Sequence, residues 1–140
     1  MLGGWRNKEG KAFILNLAEE GFGPSEWVWD DNYNDEGKLE KIRYERMGHS
    51  ATLIGDNVFL FGGWNLNGFY NDLQTFNTTT MTLKEWHCFQ GQEPSPRSFH
   101  GAVAIEENLY VFGGYASRSY FNDLHQLNTE SLDTLTWTQI

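Results

Sequence analysis

The property that most constrains this chain is that it repeats itself at one fixed spacing. Residues 46–86 and 97–137 align without a gap. Arg46 and Arg97, His49 and His100, Phe61-Gly62-Gly63 and Phe112-Gly113-Gly114, Asn71-Asp72-Leu73 and Asn122-Asp123-Leu124, Asn77-Thr78 and Asn128-Thr129, and Trp86 and Trp137 all stand 51 residues apart, and 14 of the 41 aligned positions are identical. A period near 50 residues means one supersecondary unit used again, each burying an apolar face on its neighbour. A weaker third copy precedes these two: Gly3-Gly4-Trp5 matches Gly62-Gly63-Trp64 at an offset of 59, which also carries Trp27 onto Trp86. Trp27 and Arg46 are 19 apart where Trp86 and Arg97 are 11 apart. The surplus falls in the charged stretch Asp30 to Lys41, which lacks apolar periodicity and reads as an inserted loop. The chain thus divides into a partial unit over 1–29, an acidic inserted loop over 30–45, and complete units over 46–96 and 97–140.

Within one unit the pattern predicts four short strands: a, His49 to Ile54; b, Asn57 to Phe61; c, Asp72 to Phe76; and d, about Lys84 to Cys88. Gly55-Asp56 stands between a and b like a hairpin turn. Strand b, Val58-Phe59-Leu60-Phe61, is apolar throughout, as a strand covered on both faces should be. Fifteen Gly, only three Pro and 16% aromatic residues suit short strands and tight turns rather than long helices. The expected fold is all-β. Four antiparallel strands per unit, with units stacked face to face, is the geometry of β-propeller blades.

Charge and cysteine usage narrow the partners. Ten Lys+Arg against nineteen Asp+Glu leave a formal net charge of −9, which repels phosphate backbones and anionic lipid headgroups. Nucleic acid and membrane are poor partners, and no apolar run approaches the roughly 20 residues of a bilayer span. A single cysteine, Cys88, allows no internal disulfide and no Cys-based zinc site. With no secretory signal at the start, a reducing compartment fits, cytoplasmic with the nucleus left open, and the Asn77-Thr78-Thr79 sequon reads as chance.

The Arg-x-x-His, Phe-Gly-Gly, Asn-Asp-Leu and Trp landmarks, present twice at one period, resemble the kelch-repeat family. The resemblance covers two repeats fully and a third from its Gly-Gly onward, where Ala12-Phe13-Ile14 stands in place of Asn-Asp-Leu. It implies four-stranded propeller blades, about two and a half here, and in many relatives a role as an adaptor or substrate-recognition scaffold. Propellers carry roughly 4–8 blades, so the chain is expected to be a segment of a longer protein or to need other copies to close a ring.

Most landmarks read as structural. Gly62, Gly63, Gly113 and Gly114 follow strand b, where the lack of a Cβ permits positive φ and close backbone approach; no helix follows, as a phosphate loop would need. Trp86 and Trp137 are expected to wedge between blades, and Trp86, in the middle blade, should be the more deeply held. Asp72 and Asp123, beside Asn71 and Asn122, are expected to bond backbone amides at the turn entering strand c. Arg46, Arg97, His49 and His100 recur once per blade, as packing or hydrogen-bonding elements do. No metal site, cofactor or catalytic residue is assigned. A kelch-type copper oxidase uses Tyr and His ligands and a Cys-crosslinked Tyr, and this set finds no match.

Binding is expected where the two copies differ. In an antiparallel blade the b–c loop and the d–a link share one face, and the a–b and c–d turns the other. The first face gathers Trp64, Asn65, Phe69, Tyr70, Tyr115, Arg118 and Tyr120, residue types common in interaction hot spots. One member of each Phe/Tyr pair, with Trp64 and Tyr115, could equally pack beneath its own loop. The favoured function is therefore a non-catalytic protein-interaction module, the partner a protein with a basic segment drawn by the acidic insertion, with self-association through open blade edges also expected. The alternative is a fragment of a propeller-based enzyme of the copper-oxidase type.

Overall fold

The computed structural model describes residues 46–87 and 89–140, together with the backbone of Ile14–Leu15 and Trp29–Asp30. The Gly3-Gly4 and Trp27 landmarks, the acidic insertion beyond Asp30, and Cys88 lie outside the described residues. Every regular element described is a strand.

The first sheet is built as the sequence pattern demands. Strands β3 (Ser50–Ile54), β4 (Asn57–Phe61), β7 (Leu73–Asn77) and β8 (Thr82–Trp86) form a four-stranded antiparallel sheet in that order. Strand β4 coincides with the expected strand b, because its apolar run is bounded sharply by the Gly55-Asp56 turn and by Gly62-Gly63. Phe59 and Phe61 are buried, and so is Leu60 on the opposite side. Strand d begins two residues earlier than expected, since Leu73 pairs with Trp86 and fixes the register from there back to Asn77 and Thr82. The two N-terminal stretches, β1 (Ile14–Leu15) and β2 (Trp29–Asp30), pair antiparallel with each other.

The second sheet departs from a plain copy in two ways. Its strands b and c do not stop at the Gly-Gly: β11 (Asn108–Ala116) and β12 (Ser119–Asn128) run on through a bulge between Phe112 and Gly114 into one long hairpin. In the first sheet the same excursion is a separate ribbon, β5 (Trp64–Asn65) with β6 (Gly68–Phe69). The b–c connections are thus β-hairpins, not loops. The second departure is a fifth strand. β10 (Gly101–Ile105), β11, β12 and β13 (Thr136–Gln139) follow the expected order, but β9 (Gln90–Gly91), from the d–a link, pairs parallel with β13 along its outer edge. Gly91 is required there: at φ +84° an added Cβ would run into the Trp137 carbonyl.

The core lies between the two sheets. Phe59, Phe61 and Ile54 of the first meet Leu109, Val111, Leu127 and Trp137 of the second. Phe61 and Trp137 pack ring to ring at 5.3 Å. Trp137 is 1% exposed, whereas Trp86 is only half-buried, with its Nε1–H donated to Thr75 Oγ1 at 3.0 Å and Lys84 over its ring. This reverses the expected ranking. Trp86 shares its face with Leu73 and Phe61, turned toward the second sheet, and Trp137 shares its face with Leu127 and Leu109, turned toward the first, so both lie at the junction between the two complete sheets and Trp137 is the one buried in it.

Candidate functional site

Each b–c hairpin is held by a buried arginine. Arg46 donates to both carboxylate oxygens of Asp72, at 2.6 and 2.9 Å, and to the Gly62 carbonyl at 2.9 Å. Arg97 does the same with Asp123, at 2.7 and 2.9 Å, and with the Gly113 carbonyl at 3.0 Å. The aspartates' principal partner is therefore a guanidinium 26 positions earlier rather than the turn backbone. A planar fork in two bonds to one carboxylate is the geometry arginine alone supplies. The Arg97 guanidinium beside Asp123 holds that carboxyl well below the usual carboxylate range. Tyr70 lies over Arg46 at 4.6 Å and Phe121 over Arg97 at 4.3 Å. These are the inward members of the two Phe/Tyr pairs, and they sit 51 residues apart.

The outward members form a surface. Trp64 stacks on Phe69 at 6.1 Å, Phe69 meets Tyr115 edge-on at 5.7 Å, and Tyr115 meets Tyr120 at 5.2 Å. The result is a continuous row of four rings crossing from one hairpin to the next. It is positioned from below, because Met47 pairs with Trp64, and Ser98 with Tyr115, through reciprocal backbone hydrogen bonds. Tyr120, at the end of the row, is 85% exposed. Asn65 is turned inward on its own ribbon, its Oδ1 accepting from the Tyr70 hydroxyl and the Asn67 amide, both at 2.8 Å. Arg118 is exposed at the hairpin tip with a positive φ of 73°, and its amide donates to the Tyr115 hydroxyl at 3.2 Å. Of the seven sequence candidates, Trp64, Phe69, Tyr115 and Tyr120 come together, Arg118 stands at their edge, and Tyr70 and Asn65 serve the scaffold.

His100 is part of the joint between the sheets. It places Nε2 2.8 Å from Ser50 Oγ and its ring edge-on to Phe61 at 5.3 Å. Burial, then the charges of Arg97 and His49, pushes it down to about 4. His125 is buried too, with Nε2 2.9 Å from Asp123 and Nδ1 3.3 Å from the Gln92 carbonyl, tying the β9 link to the arginine pair. Among the described residues no three His, Cys, Asp or Glu gather as a metal-binding group.

Sequence reasoning missed Phe99. It is 64% exposed with a φ of 56°, and its amide donates to Gly48 at 2.8 Å. The signal was available: the 51-residue offset sets Phe99 opposite Gly48, itself at φ 68°, so the position demands a left-handed backbone and holds an aromatic at some cost. With Phe112, Tyr115, Tyr120 and Phe121 it lines a cleft of about 560 Å³.

Comparison with known proteins agrees with this geometry. The model of the KLHDC2/KLHL20/DRC7 Kelch-repeats domain matches residues 22–140. Kelch domain-containing protein 3 of Bos taurus is 38% identical over 109 residues, covering 74% of this chain and 27% of that protein. Acyl-CoA-binding domain-containing protein 5 of Arabidopsis thaliana is 38% identical over 96 residues, 67% of this chain and 14% of that protein. Tip elongation aberrant protein 3 of Schizosaccharomyces pombe is 29% identical over 103 residues, 68% and 9%. The chain thus spans about a quarter or less of these relatives' length.

Proposed function

Because the chain belongs to the kelch-repeat family, whose repeat domains typically mediate protein–protein interactions and are generally non-catalytic, we propose that it is an adaptor or recognition segment that binds its partner through the b–c hairpins. The observation that carries this reading is the row Trp64, Phe69, Tyr115, Tyr120. Aromatic rings provide large contact area with few rotors to freeze, and a row fixed by backbone pairing below is already organised for contact. Arg118 at the edge adds a charged anchor. The partner proposed is a protein with a basic segment, met inside the cell.

The test is capture of partner by the full-length parent, followed by binding kinetics on the captured protein. Trp64→Ala, Phe69→Ala and Tyr120→Ala are each expected to weaken binding about tenfold or more, the range of hot-spot truncations, with the melt unchanged for Tyr120→Ala. Substitutions at Asp56 and at Glu106-Glu107, in the a–b turns, are expected to do nothing. Loss of binding from the turn variants alone overturns the assignment of faces. Self-association is a second reading, favoured by Val103, Ile105 and Phe112, each more than half exposed on the outer side of the second sheet; sedimentation of the chain at increasing concentration tests it.

A further inference from the structure

The chain contains one Asn-Gly pair, Asn67-Gly68, and the fold sets it at the tip of the first b–c hairpin. Leu66 and Asn67 form a two-residue turn closed by the pairing of Asn65 with Gly68. Leu66 is 100% exposed, and Asn67 is exposed beside it. The main chain at Asn67 is held, because its amide donates to Asn65 Oδ1 at 2.8 Å, an oxygen that also accepts from the Tyr70 hydroxyl. The Asn67 carboxamide itself has no hydrogen-bond partner among the described residues. Gly68 has a φ of +138°, and a Cβ built on it would find nothing within 4 Å, so no neighbouring atom crowds that side of the peptide.

Other asparagines of the two sheets are placed differently. The carboxamides of Asn57, Asn71, Asn77, Asn108 and Asn128 are all engaged in hydrogen bonds. Each is also followed by a residue whose Cβ stands beside the next main-chain nitrogen.

We propose that Asn67-Gly68 is a self-modifying site, at which Asn67 deamidates in the folded chain and the isoaspartyl product loosens the first hairpin. The Gly68 main-chain nitrogen, giving its proton to water, attacks Asn67 Cγ. The N–Cγ bond forms, the Cγ–Nδ2 bond breaks, and Nδ2 takes up a proton and leaves as ammonia. One water then opens the succinimide ring. Entry at Cγ restores the main chain as aspartate, whereas entry at the Asn67 carbonyl carbon leaves the main chain running through Cβ and Cγ, as isoaspartate. No oxidant or reductant takes part. Glycine favours ring closure because its Cα carries nothing that hinders the nitrogen, and the exposed tip supplies both water and freedom to bend. Isoaspartate adds a main-chain carbon to a two-residue turn, so Asn65 no longer stands opposite Gly68 and the disturbance passes to the next pair, Trp64 with Phe69. The aspartate product keeps the chain length and changes only the charge. This chemistry goes beyond the ring-row reading and does not depend on the row meeting a partner.

The test is incubation of the full chain at mildly alkaline pH, followed by peptide mapping with mass spectrometry and by methyl labelling with an isoaspartyl methyltransferase. The mass gain of amide-to-acid conversion is expected at Asn67 before any other asparagine, with isoaspartate in excess of aspartate. Its rate should lie within about threefold of that in a free peptide of sequence 64–70, since a loop tip opens at almost no cost in free energy. Asn67→Gln, which would have to close a larger ring, should abolish the conversion at this position. In the separated isoaspartyl form the amides of Trp64 and Tyr70, which donate to the Met47 and Gly63 carbonyls, should exchange several-fold faster than in the native chain. Asn67→Asp should leave both at the native rate. Conversion far slower in the chain than in the peptide means that the fold protects the site, and overturns the proposal. So does acid gain at another asparagine ahead of Asn67, or an isoaspartyl form whose Trp64 and Tyr70 amides exchange at the native rate.

Discussion

Arg97 has no solvent exposure and spends its donors on Asp123, Gly113 and Ser95. Removing either partner of such a pair strands a buried charge, a loss of about 3–5 kcal/mol. Arg97→Lys and Asp123→Asn are therefore expected to destabilise strongly in urea unfolding, the lysine because it cannot make the two-pronged contact. The Arg46 pair should lose less, since Asp72 is more exposed than Asp123. His100 gives a pH dependence of definite sign. Its folded pKa, about 4, lies below the ordinary 6.5, so the unfolded chain binds the proton first. Its contribution is complete above pH 6.5 and falls away toward pH 4, by about 3 kcal/mol at roughly 1.4 per unit. Unfolding free energies of the native chain and of His100→Gln should converge across that window. A constant gap between them would place His100 outside the linkage. Asp123, also lowered, adds loss of the same sign at still lower pH.

At the scale of elements, Trp137→Ala is expected to cost about 3–5 kcal/mol, as for large buried aromatics, and Trp86→Ala less, because Trp137 is fully buried at the junction between sheets and Trp86 only half-buried there. Equal losses in urea unfolding would count against that junction as the seat of the core. Gly91→Ala should detach β9 from β13 and expose that edge, read as faster amide exchange at Gln90 and Gln92, whose amides donate to Leu135 and Trp137. The legibility of these elements in the sequence follows physical lines. Strand b was readable to the residue because a continuous apolar run between turn signals has one interpretation. The b–c hairpins were not, since Gly-Gly and Ser117-Arg118 look like punctuation, whereas here positive φ makes a bulge and a tight turn inside continuous pairing. β9 left no pattern to read: two residues borrow their pairing from a strand some 46 positions later. Of the candidate site, residue types and face were legible from the repeat. Which ring of each Phe/Tyr pair turns inward was decided by the buried arginine beneath it.

At the scale of the whole molecule, most described acidic side chains stand away from the aromatic row, with Glu93 of the d–a link the exception. Among the described residues, Asp56, Glu106 and Glu107 occupy the a–b turns, and Glu130 and Asp133 the β12–β13 turn, all at the end away from the hairpins. The sequence's densest acidic run, with Asp30, Asp31, Asp35 and Glu36, is assigned in the proposed function to the attraction of a basic partner. A net charge of −9 attracts any basic partner from a distance, but the position of each group decides which part of binding it affects. Long-range attraction changes how fast partners meet, while contact at the rings governs how slowly they part. With a basic partner, the association rate should fall several-fold between low salt and physiological salt, where the screening length is about 8 Å. Replacing Asp30, Asp31, Asp35 and Glu36 together by Asn and Gln should remove most of that salt dependence and leave dissociation unchanged. Replacing Glu106 and Glu107 should change it little. Tyr120→Ala should do the reverse, speeding dissociation with the salt slope intact. Association that ignores salt would take the insertion out of recognition and leave the ring row as its whole basis.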